Sequence, residues 1–295
     1  MIGPVRDSSR KSPNRLVLLG RLALIPMLAT FLMASAIGCN DRGPEASLHR
    51  ADELAFQGRY EEAVFLLDEM IASLRNARGK EAEALRLEAI AKAARYVHLF
   101  QRRPEQALSY YRRIAELSPG SDEAFDARQR MAKIHLESND RPAAISQYQA
   151  LVAGFSSREN VDQFQYALAR SYFAMGDMEQ SRTEGRYLLR HWPDSDYADR
   201  VRMLIATTHQ VQGQMEEALE AFKSAREKTD DADLEVRALF EEAGCLASLE
   251  REEEAMAAYT KALGTHPEPR LVRMRMKMLE ERMSRRGVEN LGTVW

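Results

Sequence analysis

Residues 213–225 read Gly213-Gln-Met-Glu-Glu-Ala218-Leu-Glu-Ala-Phe222-Lys-Ser-Ala225. Apolar residues at i, i+4 and i+7 place Ala218, Phe222 and Ala225 on one face of a helix. Gly213 suits the left-handed position that closes one helix before the next begins. The small alanine lets two helix backbones approach, and the phenylalanine fills the space beside it. The pattern recurs. Steps of 37 residues back from Ala218 reach Ser181, Ala144 and Ala107, and one step forward reaches Ala255. A further member, Ala63, precedes Ala107 by 44. The seven extra residues come close to two helical turns and are placed around 76–88.

Twelve residues before these six markers stand Ala51, Arg95, Ala132, Ala169, Ala206 and Ala243, the small positions expected where two helices of a hairpin cross. Four residues after them stand Leu67, Tyr111, Tyr148, Gly185, Phe222 and Tyr259. Twelve after, Pro119, Pro193 and Pro267 close the second helix in three units. A unit that recurs without a core of its own stacks into one continuous array, so 295 residues need not mean two domains. Regularity is expected to weaken at Arg95, Ser181 and Gly185, which depart from the pattern.

The spacing small–x11–Ala–x3–aromatic–x2–small/apolar–x4–Pro resembles the tetratricopeptide repeat, a helix-turn-helix unit usually of 34 residues. The resemblance spans 45–267. It implies an all-α, tetratricopeptide-like right-handed superhelix of about six hairpins, with a C-terminal capping helix over 268–286 and a tail over 287–295. The junctions Pro119-Gly-Ser121-Asp-Glu-Ala124 and Pro193-Asp-Ser195-Asp-Tyr-Ala198 look like those of periplasmic repeat proteins. Those include the lipoprotein of the outer-membrane β-barrel assembly machine and the Tol–Pal coordinator. Proline stops one helix and serine caps the next.

The N-terminus has its own logic. Residues 1–21 are polar and basic, Leu22–Ile37 is an apolar run, and Gly38-Cys39 follows. This is the layout of a secretory signal peptide over 1–38, and the run is short for a spanning helix. Ala36-Ile37-Gly38-Cys39 resembles the bacterial lipobox, although leucine is usual where Ala36 stands. The resemblance implies cleavage before Cys39 and lipidation of its sulfur, with 39–44 as a tether. An uncleaved signal anchor reaching back to Leu16 is the alternative. Either route puts the array outside the cytoplasm, and Asn40 after the cysteine favours the outer membrane over the inner.

The net charge is −3 for the whole chain and −7 once residues 1–38 are removed. A mildly acidic chain argues against nucleic acid as a partner. No metal-ligand spacing, phosphate loop or nucleophile elbow is present, so neither a cofactor nor an enzymatic activity is expected. His98, His135 and His209 recur at one repeat position, but stacked hairpins hold equivalent residues about 8–10 Å apart. That is too far to share one zinc, and packed rings with one hydrogen bond are expected instead. Cys245, without a CxxC partner, reads as a small buried thiol. The acidic runs before the markers complement helix N-termini.

In a tetratricopeptide-like superhelix the first helix of each unit lines the concave face. Positions 11, 15 and 18 before each marker then give Lys92, Tyr96, Gln129, Lys133, Gln163, Tyr166, Arg170, Arg200, Met203, Arg237 and Phe240 as groove residues. Cations interleaved with aromatics point to a partner segment carrying carboxylates; the alternative is a solvated face with snorkelling arginines. Methionines 274, 276, 278 and 283 among arginines read either as the cap of the array or as an adaptable docking surface. The expected function is a lipid-anchored periplasmic scaffold for other envelope proteins, in outer-membrane protein assembly or envelope integrity. An accessory subunit of a cell-wall or polysaccharide enzyme, or a pilus or secretion-system lipoprotein, shares the plan.

Overall fold

The computed structural model describes residues 43–292, and its helices pair as the spacing requires. The hairpins are α1 (Pro44–Phe56) with α2 (Tyr60–Ser73), and α3 (Lys80–Tyr96) with α4 (Pro104–Leu117). They continue with α5 (Asp122–Glu137) and α6 (Arg141–Gly154), then α7 (Asp162–Ala174) and α8 (Met178–His191). Next come α9 (Ala198–Val211) with α10 (Met215–Lys228), α11 (Ala232–Ser248) with α12 (Glu252–Leu263), and the single helix α13 (Pro269–Gly292). No strand occurs among the described residues. The six hairpins and the last helix stack into an all-α superhelix. Signal peptide and Cys39 lie outside the described residues.

One backbone device closes every hairpin. Five residues before each marker the chain turns into the left-handed region: Gly58, Arg102, Asn139, Gly176, Gly213 and Glu250 all have positive φ, between 54° and 84°. Glycine takes this conformation freely, whereas a residue with a Cβ pays about 1–2 kcal/mol for it. Among the described residues Arg102 makes no ion pair or side-chain hydrogen bond. Arg102→Gly is therefore expected to stabilise the second hairpin by about 1 kcal/mol, read as slower amide exchange over α3 and α4. Four first turns are closed by side-chain caps: Ser121, Asp140, Asp177 and Asp231 accept from backbone amides of α5, α6, α8 and α11. Ser195 does not cap α9. Its hydroxyl accepts from the Tyr197 amide at 3.1 Å within the junction, one turn ahead of the helix.

The markers are the most enclosed positions of the array. Ala63, Ala107, Ala144, Ser181, Ala218 and Ala255 are all fully buried. The expected crossing residue of the second unit is corrected: Arg95 is exposed and Ala94 is buried in its place. A π-helical turn, Val97–Gln101, follows α3 and supplies one extra residue between the crossing alanine and the marker. Only six of the seven inserted residues therefore belong to the α2–α3 connection and the lengthened start of α3. At Gly185 the array is tighter, not looser. A Cβ built there would stand 3.1 Å from Val201 Cγ1 and 3.2 Å from Ile205 Cγ1, so glycine is what lets α8 and α9 approach. The final helix runs to Gly292, six residues past the expected stop, because one glycine costs a helix only about 1 kcal/mol.

Candidate functional site

On the face of α7 and α9 two arginines and two tyrosines form a column. Tyr166 and Arg170 are one turn apart on α7, and the Arg170 guanidinium lies 5.6 Å from the Tyr166 ring centroid. The ring of Tyr197 stacks on Tyr166 at 5.0 Å. Arg200, in the first turn of α9, places its guanidinium 5.9 Å from the Tyr197 ring. The proline junction builds this arrangement. Trp192 caps the end of α8, and Ser195 donates to Asp162 at the start of α7 while accepting from the Tyr197 amide. The junction is thus tied to α7, and Tyr197 is held against Tyr166.

Neither arginine has an ion pair or a hydrogen bond among the described residues. Each is exposed. Cation–π contact is worth about 0.5–1 kcal/mol at such a surface and leaves the five N–H donors of each fork free. The column therefore presents two oriented guanidinium groups on an aromatic wall, an arrangement suited to a segment bearing carboxylates and apolar or aromatic side chains.

The other expected groove residues divide. Lys92 and Tyr96 are spent within the array. Lys92 Nζ lies 2.6 Å from Asp52 Oδ2, and the Tyr96 hydroxyl donates to Asp52 Oδ1 at 2.9 Å. Burial and the hydrogen bond to Asp52 push the Tyr96 phenol up to about 12. Burial alone would raise Asp52, but its bonds from Lys92 and Tyr96 outweigh that and hold it below the ordinary range. This ion pair bridges the first helices of the first two units. Gln129 and Gln163 are half-buried, and Lys133 is exposed with Glu137 3.9 Å away. Arg237 is exposed and has no ion pair among the described residues, and Met203 packs at the edge of the C-terminal core.

Phe240 is a correction. It is 8% exposed, with its ring 5.4 Å from Tyr259 and 4.8 Å from His266, so it belongs to the core. The α12–α13 loop folds His266 under the sixth unit and covers the position that is open elsewhere. Tyr197 was missed because it stands 21 residues before its marker. One more turn in the series of 11, 15 and 18 would have reached it.

The recurring histidines are each engaged locally. His98 Nδ1 is 3.2 Å from the Tyr111 hydroxyl, His135 Nδ1 is 3.5 Å from Asp140, and His209 Nδ1 is 2.7 Å from Gln214 Oε1. Cys245 is fully buried, and burial with Glu241 and Glu242 nearby pushes its thiol up to about 12. It is packing, not a nucleophile. Among the described residues no helix is long and apolar enough to cross a membrane.

A superhelix of antiparallel hairpins with a cationic aromatic column on its first helices is a binding array. Residues 87–281 match the tetratricopeptide repeat-like domain family, and the chain belongs to it. No curated protein matches in sequence. The fold is shared with the solved structure of Naa15/Naa10 bound to HypK-THB, at TM-score 0.61 and 17% identity. That likeness covers 86% of this chain and 35% of the other, so this chain spans about a third of that length. The apo form of RapI is similar at TM-score 0.53 and 14% identity, covering 84% of this chain and 74% of the other. At these identities the likeness shows the fold alone.

Proposed function

We propose that this protein is a lipid-anchored scaffold of the cell envelope, held through Cys39, that captures other envelope proteins in its helical-repeat groove. The observation that carries the reading is the column Arg170–Tyr166–Tyr197–Arg200, whose cations make no ion pair among the described residues although the mature chain is acidic. An interior ion pair would be structural, as Lys92–Asp52 is. Exposed, oriented and unpaired arginines on aromatic rings are the composition of binding hot spots. The partner is a protein segment with acidic groups, and nucleic acid is disfavoured by the net charge. The lipobox-like Ala36-Ile37-Gly38-Cys39 supports the anchor, and Asn40 supports the outer membrane with the array in the periplasm. The resemblance to the barrel-assembly lipoprotein and the Tol–Pal coordinator supports a role in outer-membrane protein assembly or envelope integrity.

Photo-crosslinking in the native envelope tests both parts. Benzoylphenylalanine introduced at position 203, on α9, is expected to capture envelope proteins. The pair Arg170→Glu and Arg200→Glu is expected to reduce that capture at least tenfold, since two charge-assisted contacts become repulsions. Helicity should be unchanged because both residues are exposed. Unaltered crosslinks would rule the column out as the binding surface. Intact mass of the membrane-extracted chain should show a lipidated Cys39 as its first residue; an unmodified mature cysteine would remove the anchor from the proposal.

A further inference from the structure

At the C-terminal end of the array a cavity of about 290 Å³ opens between α11 and α13. Its floor is the small stripe Gly244, Ala247 and Ser248 on α11, and Met278 and Leu279 of α13 supply an apolar wall. Arg275, Arg282 and Arg285 line the same side of α13, and no carboxylate lines the cavity. Its size suits one or two residues rather than a whole small-molecule ligand.

The informative group is Tyr259 of α12. Its side chain is 3% exposed, packed on Phe240, and it lines the cavity. Its hydroxyl has no hydrogen-bond partner among the described residues. The oxygen faces the open cavity rather than sealed core, so water meets it until an acceptor from a ligand takes its place. Access to it depends on Gly244, since a Cβ there would stand 3.7 Å from the Tyr259 oxygen. At the equivalent position, directly after the crossing alanine, the five earlier units carry Asp52, Arg95, Lys133, Arg170 and Thr207, each of which would fill the space.

The charges around this hydroxyl are unequally engaged. Arg282 is committed, with Nη2 donating to the Ala247 carbonyl at 2.5 Å and Nε 2.9 Å from Glu252. Among the described residues Arg285 uses only its Nε, on the Glu281 carbonyl at 3.2 Å, and Arg275 makes no ion pair or hydrogen bond. The nearest carboxylate on α11, Glu241, accepts from Gln210 of α9 at 2.9 Å. The Ser248 hydroxyl is spent on the Gly244 carbonyl. What stays open is one phenol donor and two guanidinium forks around an apolar slot.

We propose that this cavity binds a carboxylate carried on a short apolar stretch of a partner protein, with the Tyr259 hydroxyl and the Arg275 and Arg285 guanidiniums as donors. The planar fork of arginine matches two carboxylate oxygens, and Ala247, Met278 and Leu279 take the adjoining apolar atoms. The site shares no residue with the α7–α9 column, so either can fail while the other stands.

The test is ¹³Cζ-tyrosine NMR of the full chain in detergent, with Tyr259→Phe assigning the resonance. N-acetyl-leucine presents the carboxylate of a chain end, and the α-amide of N-acetylglutamate presents that of a side chain. At least one is expected to shift the Tyr259 resonance saturably, and which one does so identifies the source. N-acetyl-leucinamide should not shift it. Arg275→Gln should weaken binding about tenfold, with partial recovery in Arg275→Lys, while Arg112→Gln on the exposed side of α4 leaves it unchanged. No saturable shift with either carboxylate, or an equal shift with the amide, overturns the proposal. An equal response to inorganic phosphate overturns the assignment to carboxylate.

Discussion

Arg226→Met is expected to destabilise the fifth and sixth hairpins by about 3–5 kcal/mol at neutral pH, the cost of leaving a buried charge without its partner. Arg226 of α10 reaches across to Glu242 of α11, Nε to Oε1 at 2.6 Å, and Glu242 is only 4% exposed. Burial pushes the Glu242 carboxyl above its ordinary value, while the hydrogen bond and charge of Arg226 pull it back without cancelling the shift. Methionine keeps much of the arginine stem's volume but removes the pull, so the carboxyl rises further. The sign follows from proton uptake. With the folded value above the unfolded one, the folded state holds the proton more tightly, and stability is lost as pH rises through that interval. The variant should therefore be weakest at pH 7–8 and recover as pH falls toward the unfolded value. Adding Glu242→Leu should restore most of the loss at neutral pH, since an apolar pair can replace a buried ion pair at little cost. Amide exchange across α10 and α11 at two pH values reads the effect. A variant equally protected at both pH values and close to the parent would show that Glu242 is solvated.

The division between what sequence made legible and what it did not is physical. Helix pairing was legible because a buried crossing tolerates only small side chains, and that constraint repeats every 37 residues from Ala107 to Ala255. The left-handed turn was legible at Gly213 from its residue type. At Asn139 the residue type also permits it, whereas at Arg102 and Glu250, which rarely adopt this conformation, only position reveals it. The π-helical turn at 97–101 carries no compositional signature, so counting from Ala107 landed on Arg95 instead of Ala94. The same shift explains Lys92 and Tyr96, placed in the groove by a count that crosses the extra residue. Arg170, Tyr166 and Arg200 were reached because no irregularity separates them from their markers. Tyr197 and the Tyr259 cavity depend on how a junction and a terminal helix fold back, which periodicity does not encode. Phe240 failed for a related reason: the terminal unit is covered by a loop that no other unit possesses.

Gly185→Phe restores the large residue found at this position in the other units, yet it is expected to cost about 3 kcal/mol or more. Leu67, Tyr111, Tyr148, Phe222 and Tyr259 fill their own crossings, whereas Val201 and Ile205 of α9 already occupy the space over Gly185. Even a methyl meets them at 3.1–3.3 Å. Gly185→Ala should accordingly be near neutral, its helix-propensity gain of up to about 1 kcal/mol offset by the small shift the branched side chains must make. An aromatic ring cannot be absorbed in that way. It must push α8 from α9, and in an array each unit contacts only its neighbours, so the damage stays local. Amide protection should collapse over α8 and α9 while α11 and α12 keep theirs. The displacement also bears on binding, because Val201 lies one turn along α9 from Tyr197, whose ring holds the column together. Crosslinking from position 203 should therefore fall in Gly185→Phe with both column arginines intact, and remain in Gly185→Ala. Equal protection in the two variants would mean that α8 and α9 can separate freely, and that the column is not positioned by their close approach.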